Sequence, residues 1–190
     1  SDVRDSTVQA VTRRFGIDRK QANRVATTAR ALLRQVEDAW DLTDPEHELM
    51  LNWASRLHEI GLVISHNSFH RHGAYILANA DLPGFTRQQQ AVLAALVRFH
   101  RRRFDDEQFA GLPPDMIAHA KHLAVLLRLA VLMHRGRGGS RKPPMKVSVG
   151  DSAMLVEFPD GWLAGHPLTE TEIAREADYL AAAGFTLQYA

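Results

Sequence analysis

Apolar residues recur three or four apart over residues 5–15 and again over 18–39, where Ala22, Val25, Ala29, Leu32 and Val36 mark one stripe. A stripe at that spacing predicts two amphipathic helices. Gly16 separates them, and Asp18 offers a carboxylate to the free amides of the second helix's first turn. Asp44-Pro45 sets up a third helix in the same way, cap followed by first-turn proline. That helix carries Leu49, Trp53, Leu57 and Ile60 on one face and should stop near Gly61. After the loop chemistry of Ser65-His66-Asn67-Ser68, the pattern predicts a short helix over 69–79 and a turn at Asp81-Leu82-Pro83-Gly84. A helix over 88–100 follows, capped by Thr86, with Val92, Leu93, Leu96 and Val97 inward. Gly111-Leu112-Pro113-Pro114 breaks the pattern before a helix over 115–134 that buries Ile117, Leu123, Leu127 and Val131.

The texture changes over 135–144, which is rich in Gly, Ser, Pro and cations and reads as an exposed linker. Beyond it, alternation over 146–149 and 154–158, hinged at Gly150-Asp151, predicts two strands; 168–183 reads as a helix and 185–189 as a third strand. The expected fold is therefore mainly α: a helical domain over 1–135, a linker over 136–144, and a small α+β annex with a three-stranded sheet over 145–190.

With 190 residues, 45% hydrophobic and 24% charged, the chain can bury one sizeable core, or one core plus a small annex. No stretch approaches the roughly 18 uninterrupted apolar residues of a membrane span, and no charged-then-apolar leader opens the sequence. The expectation is no membrane span and a cytoplasmic location. The absence of cysteine removes disulfides and thiolate metal sites. A net charge of +1 hides an asymmetry: residues 1–150 hold 22 Lys/Arg against 15 Asp/Glu, whereas 151–190 hold only Arg175 against seven acids. One part attracts polyanions and the other repels them.

The densest chemistry is Leu57-His58-Glu59-Ile60-Gly61, followed by His66, His70 and His72, then His100 within Arg98-Phe99-His100-Arg101-Arg102-Arg103. Five of the ten histidines fall between 58 and 100. Imidazole ligates borderline metals and, when protonated, pairs with phosphate oxygens, so the cluster suits a metal site or an anion site. A His followed by an acid at a helix end, inside an all-helical domain, resembles the HD phosphohydrolase fold. That fold holds a divalent metal through a His on an early helix, an adjacent His-Asp pair and an Asp on a late helix. Matching these positions puts Arg24 at the first His, His58-Glu59 at the pair and Val131 at the last Asp. An arginine has no lone pair to offer a cation and valine has no donor atom, so the metal-dependent reaction of that fold is not expected and no metal is assigned to this chain.

The strip from Arg56-Leu57-His58-Glu59-Ile60-Gly61 through His66-Asn67-Ser68-Phe69-His70-Arg71-His72-Gly73-Ala74-Tyr75-Ile76-Leu77, then Asp81-Leu82-Pro83-Gly84-Phe85 and Arg98-Phe99-His100-Arg101, resembles the C-terminal, HD-like region of the exopolyphosphatase/guanosine pentaphosphate phosphohydrolase family. The likeness is tightest over 53–103, looser in the rest of the helical region and thin in the annex. It implies an HD-like helical domain in a parent enzyme whose N-terminal pair of actin-like domains supplies phosphate loops, catalytic carboxylate and magnesium. None of those motifs is present: the glycines of Gly136-Arg137-Gly138-Gly139 lack the adjoining strand and helix of a phosphate cradle. The chain reads as the C-terminal domain of an exopolyphosphatase, a phosphoanhydride hydrolase, and is itself not catalytic.

The expected role is to contact inorganic polyphosphate through Arg98, His100, Arg101, Arg102 and Arg103 together with His66, His70, Arg71 and His72. The latter segment lies at a loop and helix start, where free amides attract anions. Plainer readings stand beside this one. His66–His72 caps a helix, and Arg98 to Arg103 is a solvated helix end, although three consecutive arginines plus His100 exceed what that end requires. Arg135, Arg137, Arg141 and Lys142 keep the linker soluble or, if they border the arginine cluster, extend a groove. His58 and Glu59 form a buried hydrogen-bonded pair, and Trp40, Trp53 and Trp162 pack in the core. Alternative functions are a dimerisation and scaffolding module forming a homodimer, an HD-type metal phosphohydrolase acting on a nucleotide or alarmone, and nucleic-acid binding without a base-reading motif.

Overall fold

The computed structural model describes residues 1–104, 106–138 and 142–190. Its helical region comprises α1 (Val3–Arg14), α2 (Arg19–Val36), α3 (Pro45–Leu57), α4 (Phe69–Asn79), α5 (Arg87–Arg98) and α6 (Pro114–Met133), with short 3-10 helices at Ile60–Val63 and Asp106–Gly111. The small sheet follows as β1 (Lys146–Gly150) and β2 (Ala153–Glu157), then α7 (Pro167–Ala182) and β3 (Thr186–Tyr189).

The helix starts are where the cap chemistry puts them. Asp18 accepts from the Gln21 amide, Asp44 accepts from the Glu46 amide ahead of Pro45, and Thr86 with Gln89 closes a reciprocal capping box. The two 3-10 helices were not legible, because four to six residues give no periodicity to read.

Helix α6 runs through the middle and packs against α2, α3, α5 and α7. It is long and apolar enough to cross a membrane by length and composition alone. Here that apolarity serves the core: Leu123, Leu126, Leu127, Leu129 and Leu132 are all buried.

In the annex, β1 and β2 form an antiparallel hairpin closed at Gly150 and Ala153. β3 then returns through α7 to lie parallel to β2, giving the order β1-β2-β3. The fold class read from the sequence, mainly α with a small three-stranded sheet, is the one observed. The inward residues Val147, Met154, Val156 and Leu187 belong to the same buried cluster as Val25, Trp40, Trp53 and Leu127. Polar contacts fasten the seam. The Trp40 indole donates to the Gly150 carbonyl, and the Gln35 amide both donates to Met145 O and accepts from Val147 N. Trp40 and Trp53 are buried as expected, and Trp162 packs on the core from its edge.

A candidate anion site at the arginine turn

Helix α5 ends at Phe99-His100, leaving carbonyls without intrahelical partners. A residue of α6 answers them: Arg128 donates to Phe99 O at 2.6 Å and also to Arg102 O. Its guanidinium pairs with Glu176 of α7 at 2.6 and 2.8 Å, the two side chains being 1% and 5% exposed. Charge-assisted bonds of this kind are the strong ones, so the turn that carries Arg101, Arg102 and Arg103 is gripped from beneath. Arg102 adopts a left-handed backbone, φ 64°. Arg102 and Arg103 project into solvent, while Arg98 and Arg101 are partly buried.

The opposite wall is the start of α4. Its N-cap, Ser68, has φ 57° and no side chain caps the first turn. Gly61 lets the 3-10 helix Ile60–Val63 lie directly on this turn, since a Cβ there would sit 1.9 Å from the Phe69 carbonyl oxygen. The Arg101 guanidinium lies 4.5 Å over the Phe69 ring, a cation–π contact joining the arginine turn to α4.

Between the two walls lies His70, 8% exposed, with an Nδ1 that has no hydrogen-bond partner among the described residues. Burial, then the fields of Arg101, Arg71, Arg98 and Arg102, push its pKa down to about 4. Deeper still is His100, 1% exposed, whose Nδ1 faces Val97 O and whose Nε2 is unpartnered among the described residues. Desolvation and neighbouring His58 hold it well below the usual imidazole range. The rings of His58, Phe69 and His70 pack around it at 5.1, 5.4 and 6.4 Å. Desolvation also lowers the Arg101 pKa, with Arg102 and Arg135 adding to it.

The structure thus gathers Arg98, Arg101 and Arg102 with His70 and Arg71 around one spot. His66, exposed, stacks obliquely 5.9 Å from Phe69 at its edge, and His72 is partly buried along α4. Arg103 is exposed and makes no ion pair among the described residues. His100 lies beneath the surface, as a floor.

The four HD positions converge differently. Glu59 accepts from Arg137 through both oxygens, at 2.7 and 3.2 Å, and Arg137 also reaches Asp18 at 2.9 Å. Arg24 donates to the Arg137 carbonyl at 3.0 Å and to Gln21 Oε1 at 2.7 Å. Val131 is partly buried hydrocarbon against the core. His58 turns its Nδ1 to Ser55 O at 2.6 Å. His58 and Glu59 are both buried, but each has its own partner and they are not a hydrogen-bonded pair. This set does not fit a divalent ion: two positions have no lone pair, and the one carboxylate is taken by a guanidinium. Among the described residues, no three His, Asp or Glu side chains are grouped to hold a metal.

Arg137 is also neither a solubilising linker cation nor a lining of the arginine cluster. It is pinned with φ 54°, and Glu59 and Asp18 raise its pKa. Arg135 lies 3.7 Å from Glu172, Lys142 is partly buried, and Arg141 lies outside the described residues. Sequence reasoning missed Arg128 and Glu176 altogether. The available signal was a lone arginine inside an otherwise apolar helix, which demands a buried acid without saying which.

Comparison with known proteins adds the family. The family model described as Ppx/GppA phosphatase, domain III, matches residues 3–177. A guanosine-5'-triphosphate,3'-diphosphate pyrophosphatase of Pseudoalteromonas translucida is 32% identical over 187 residues, covering 98% of this chain and 37% of that protein. Proteins of the same name from Photobacterium profundum and Vibrio cholerae serotype O1 are 36% and 37% identical over 179 and 181 residues. Each of these two alignments covers 93% of this chain and 35% of the relative. The chain spans little more than a third of the length of these relatives.

Proposed function

The chain belongs to the Ppx/GppA phosphatase family, as its domain III, and from that premise we propose that it holds a run of phosphates, as in inorganic polyphosphate, at the arginine turn. Hydrolysis then takes place on actin-like domains outside this chain, with magnesium bound there. The parent enzyme is an acid-anhydride hydrolase whose substrate is polyphosphate or, following the names of its relatives, guanosine 5'-triphosphate 3'-diphosphate.

The supporting observation is His70: a buried nitrogen with no partner among the described residues, in the combined field of four arginines, beside a helix start without a side-chain cap. Cations crowded this closely repel one another, and an anion relieves the repulsion. Phosphate oxygens suit the arrangement because guanidinium offers paired donors in a plane and the α4 amides add fixed positive ends.

Polyphosphate retention tests the reading. Changing Arg101, Arg102 and Arg103 together to Glu should abolish retention of the protein on immobilised polyphosphate at low salt. For the unaltered protein, three or four phosphate contacts give a log–log salt slope of about −2 to −3. Unchanged retention in the triple variant removes the proposal.

A second reading, a homodimer, is favoured by one feature. Leu62, Val63 and Ile64 are consecutive and 37%, 55% and 55% exposed. Light scattering that finds a monomer at high micromolar concentration counts against it.

A further inference from the structure

A second cluster of arginines stands apart from the arginine turn, in a groove built by α1, α2 and α3. Two cavities of about 370 and 300 Å³ share Asp5, Asn52 and Arg56 in their walls. Arg19 and Gln9 line the first, and Arg30 lines the second. Each volume is near the lower end of the range of about 300–1,000 Å³ for small-molecule sites.

The charges of this groove are unbalanced. Arg56 is only partly exposed, yet among the described residues neither its side chain nor those of Arg19 and Arg30 make an ion pair or hydrogen bond. Of the two acids in the groove's walls, Glu48 is paired with Arg34 at 2.8 Å. Asp5 accepts the Trp53 indole N–H at 2.9 Å through Oδ1 but keeps its charge, one carboxylate against three arginines. Three guanidiniums around one groove leave positive charge in excess, and a ligand bearing phosphate oxygens would supply the counter-ion.

Asp5 narrows the class further. Asp5 lines both cavities, and a carboxylate in their shared wall would repel a bare phosphate chain and reward a ligand that brings N–H or O–H donors. The Asn52 side chain makes no hydrogen bond among the described residues and adds a donor and an acceptor beside it. We propose that this groove binds a nucleotide: its phosphates on Arg56, Arg19 and Arg30, and its sugar hydroxyls or base edge on Asp5 and Asn52. This site is separate from the arginine turn and does not rest on the polyphosphate reading.

Calorimetric titration with GTP, ATP and inorganic tripolyphosphate, each against the unaltered chain, Arg56→Gln and Arg19→Glu, tests it. Arg19 is solvent-exposed, so its substitution leaves the fold intact even if Arg56→Gln perturbs it. At least one nucleoside triphosphate should bind, with Arg56→Gln weakening it about tenfold and Arg19→Glu by several-fold. Retention on long-chain polyphosphate should be unchanged in both variants. Nucleotide affinities within about twofold of the unaltered chain in both variants, or tripolyphosphate binding as tightly as the nucleotides, overturn the proposal. A parallel loss of polyphosphate retention would merge the two sites and overturn it equally.

Discussion

Two clusters of arginine in the helical region meet opposite fates. At the former HD position, the guanidinium of Arg137 is spent on Glu59 and Asp18, so the pocket is closed by its own ion pairs. At the end of α5, Arg101 and Arg102 lie within each other's field and, with Arg71, within that of a buried His70, and among the described residues no acid pairs with either. Composition cannot separate the two, because both read as cations near histidines. What separates them is whether the fold brings a carboxylate to each guanidinium. Unbalanced charge, rather than charge, marks the candidate site.

The largest effect should come from the pair that sets the open cluster in place. Glu176→Leu strands the guanidinium of Arg128 in the core, and removing one partner of such a pair costs about 3–5 kcal/mol. For a chain of this size that is a fall in Tm of roughly 6–20 °C. Arg128→Met with Glu176→Leu should recover part of the loss but not all, since Phe99 O and Arg102 O stay unsatisfied. A thermal-melt double-mutant cycle measures the coupling. Additive losses would show that the arginine turn is not held by this pair. Polyphosphate retention should fall in both variants, because the turn loses its support while Arg101 to Arg103 remain.

How much of this was legible beforehand follows from what a sequence encodes locally. Helix starts at Asp18, Asp44 and Thr86 were readable because a cap acts within one turn of itself, and the hairpin at Gly150-Asp151 was readable for the same reason. The strip around His58-Glu59-Ile60-Gly61 pointed to the right family, and Gly61 has its reason in the backbone of Phe69 pressed against it. Pairings at long range were out of reach. Arg137 to Glu59 spans 78 residues and Arg128 to Glu176 spans 48. No periodicity announces either, so His100 was read as a surface contact and Arg137 as a linker cation. The annex was read as a separate unit, and the shared core seen through Trp40, Val147 and Leu187 is again a product of distant contacts.

A smaller effect separates the clusters by pH. His70 and His134 are both depressed to about 4 by burial and nearby cations, and burial lowers His58 and His100 as well. In the unfolded chain these rings titrate near 6.5, so the unfolded state binds more protons below that pH. Stability is therefore fully present above about pH 6.5 and is lost as pH falls toward 4. Discounted for solvent screening, the loss is on the order of 2 kcal/mol, or about 4–8 °C in Tm. Polyphosphate should oppose it: a bound anion favours protonated His70, so retention strengthens between pH 7 and 5. His70→Gln should flatten that pH dependence in retention experiments, while pH-independent retention in the unaltered protein would detach His70 from the site.

The smallest effect should fall on the closed cluster. Arg137→Ala removes bonds to Glu59 and Asp18, but Arg137 is itself about half exposed and water can reach the freed carboxylates. A loss of about 1–2 kcal/mol is expected. Glu59→Gln should cost a similar amount, and the two together less than their sum, since each removes the same ion pair. Neither change should alter polyphosphate retention, because Arg137 already has its anions in the protein. If Arg137→Ala weakens retention as much as the arginine-turn triple variant does, the guanidinium of Arg137 is available to phosphate after all. The distinction between neutralised and unneutralised arginines would then fail as a guide to this domain.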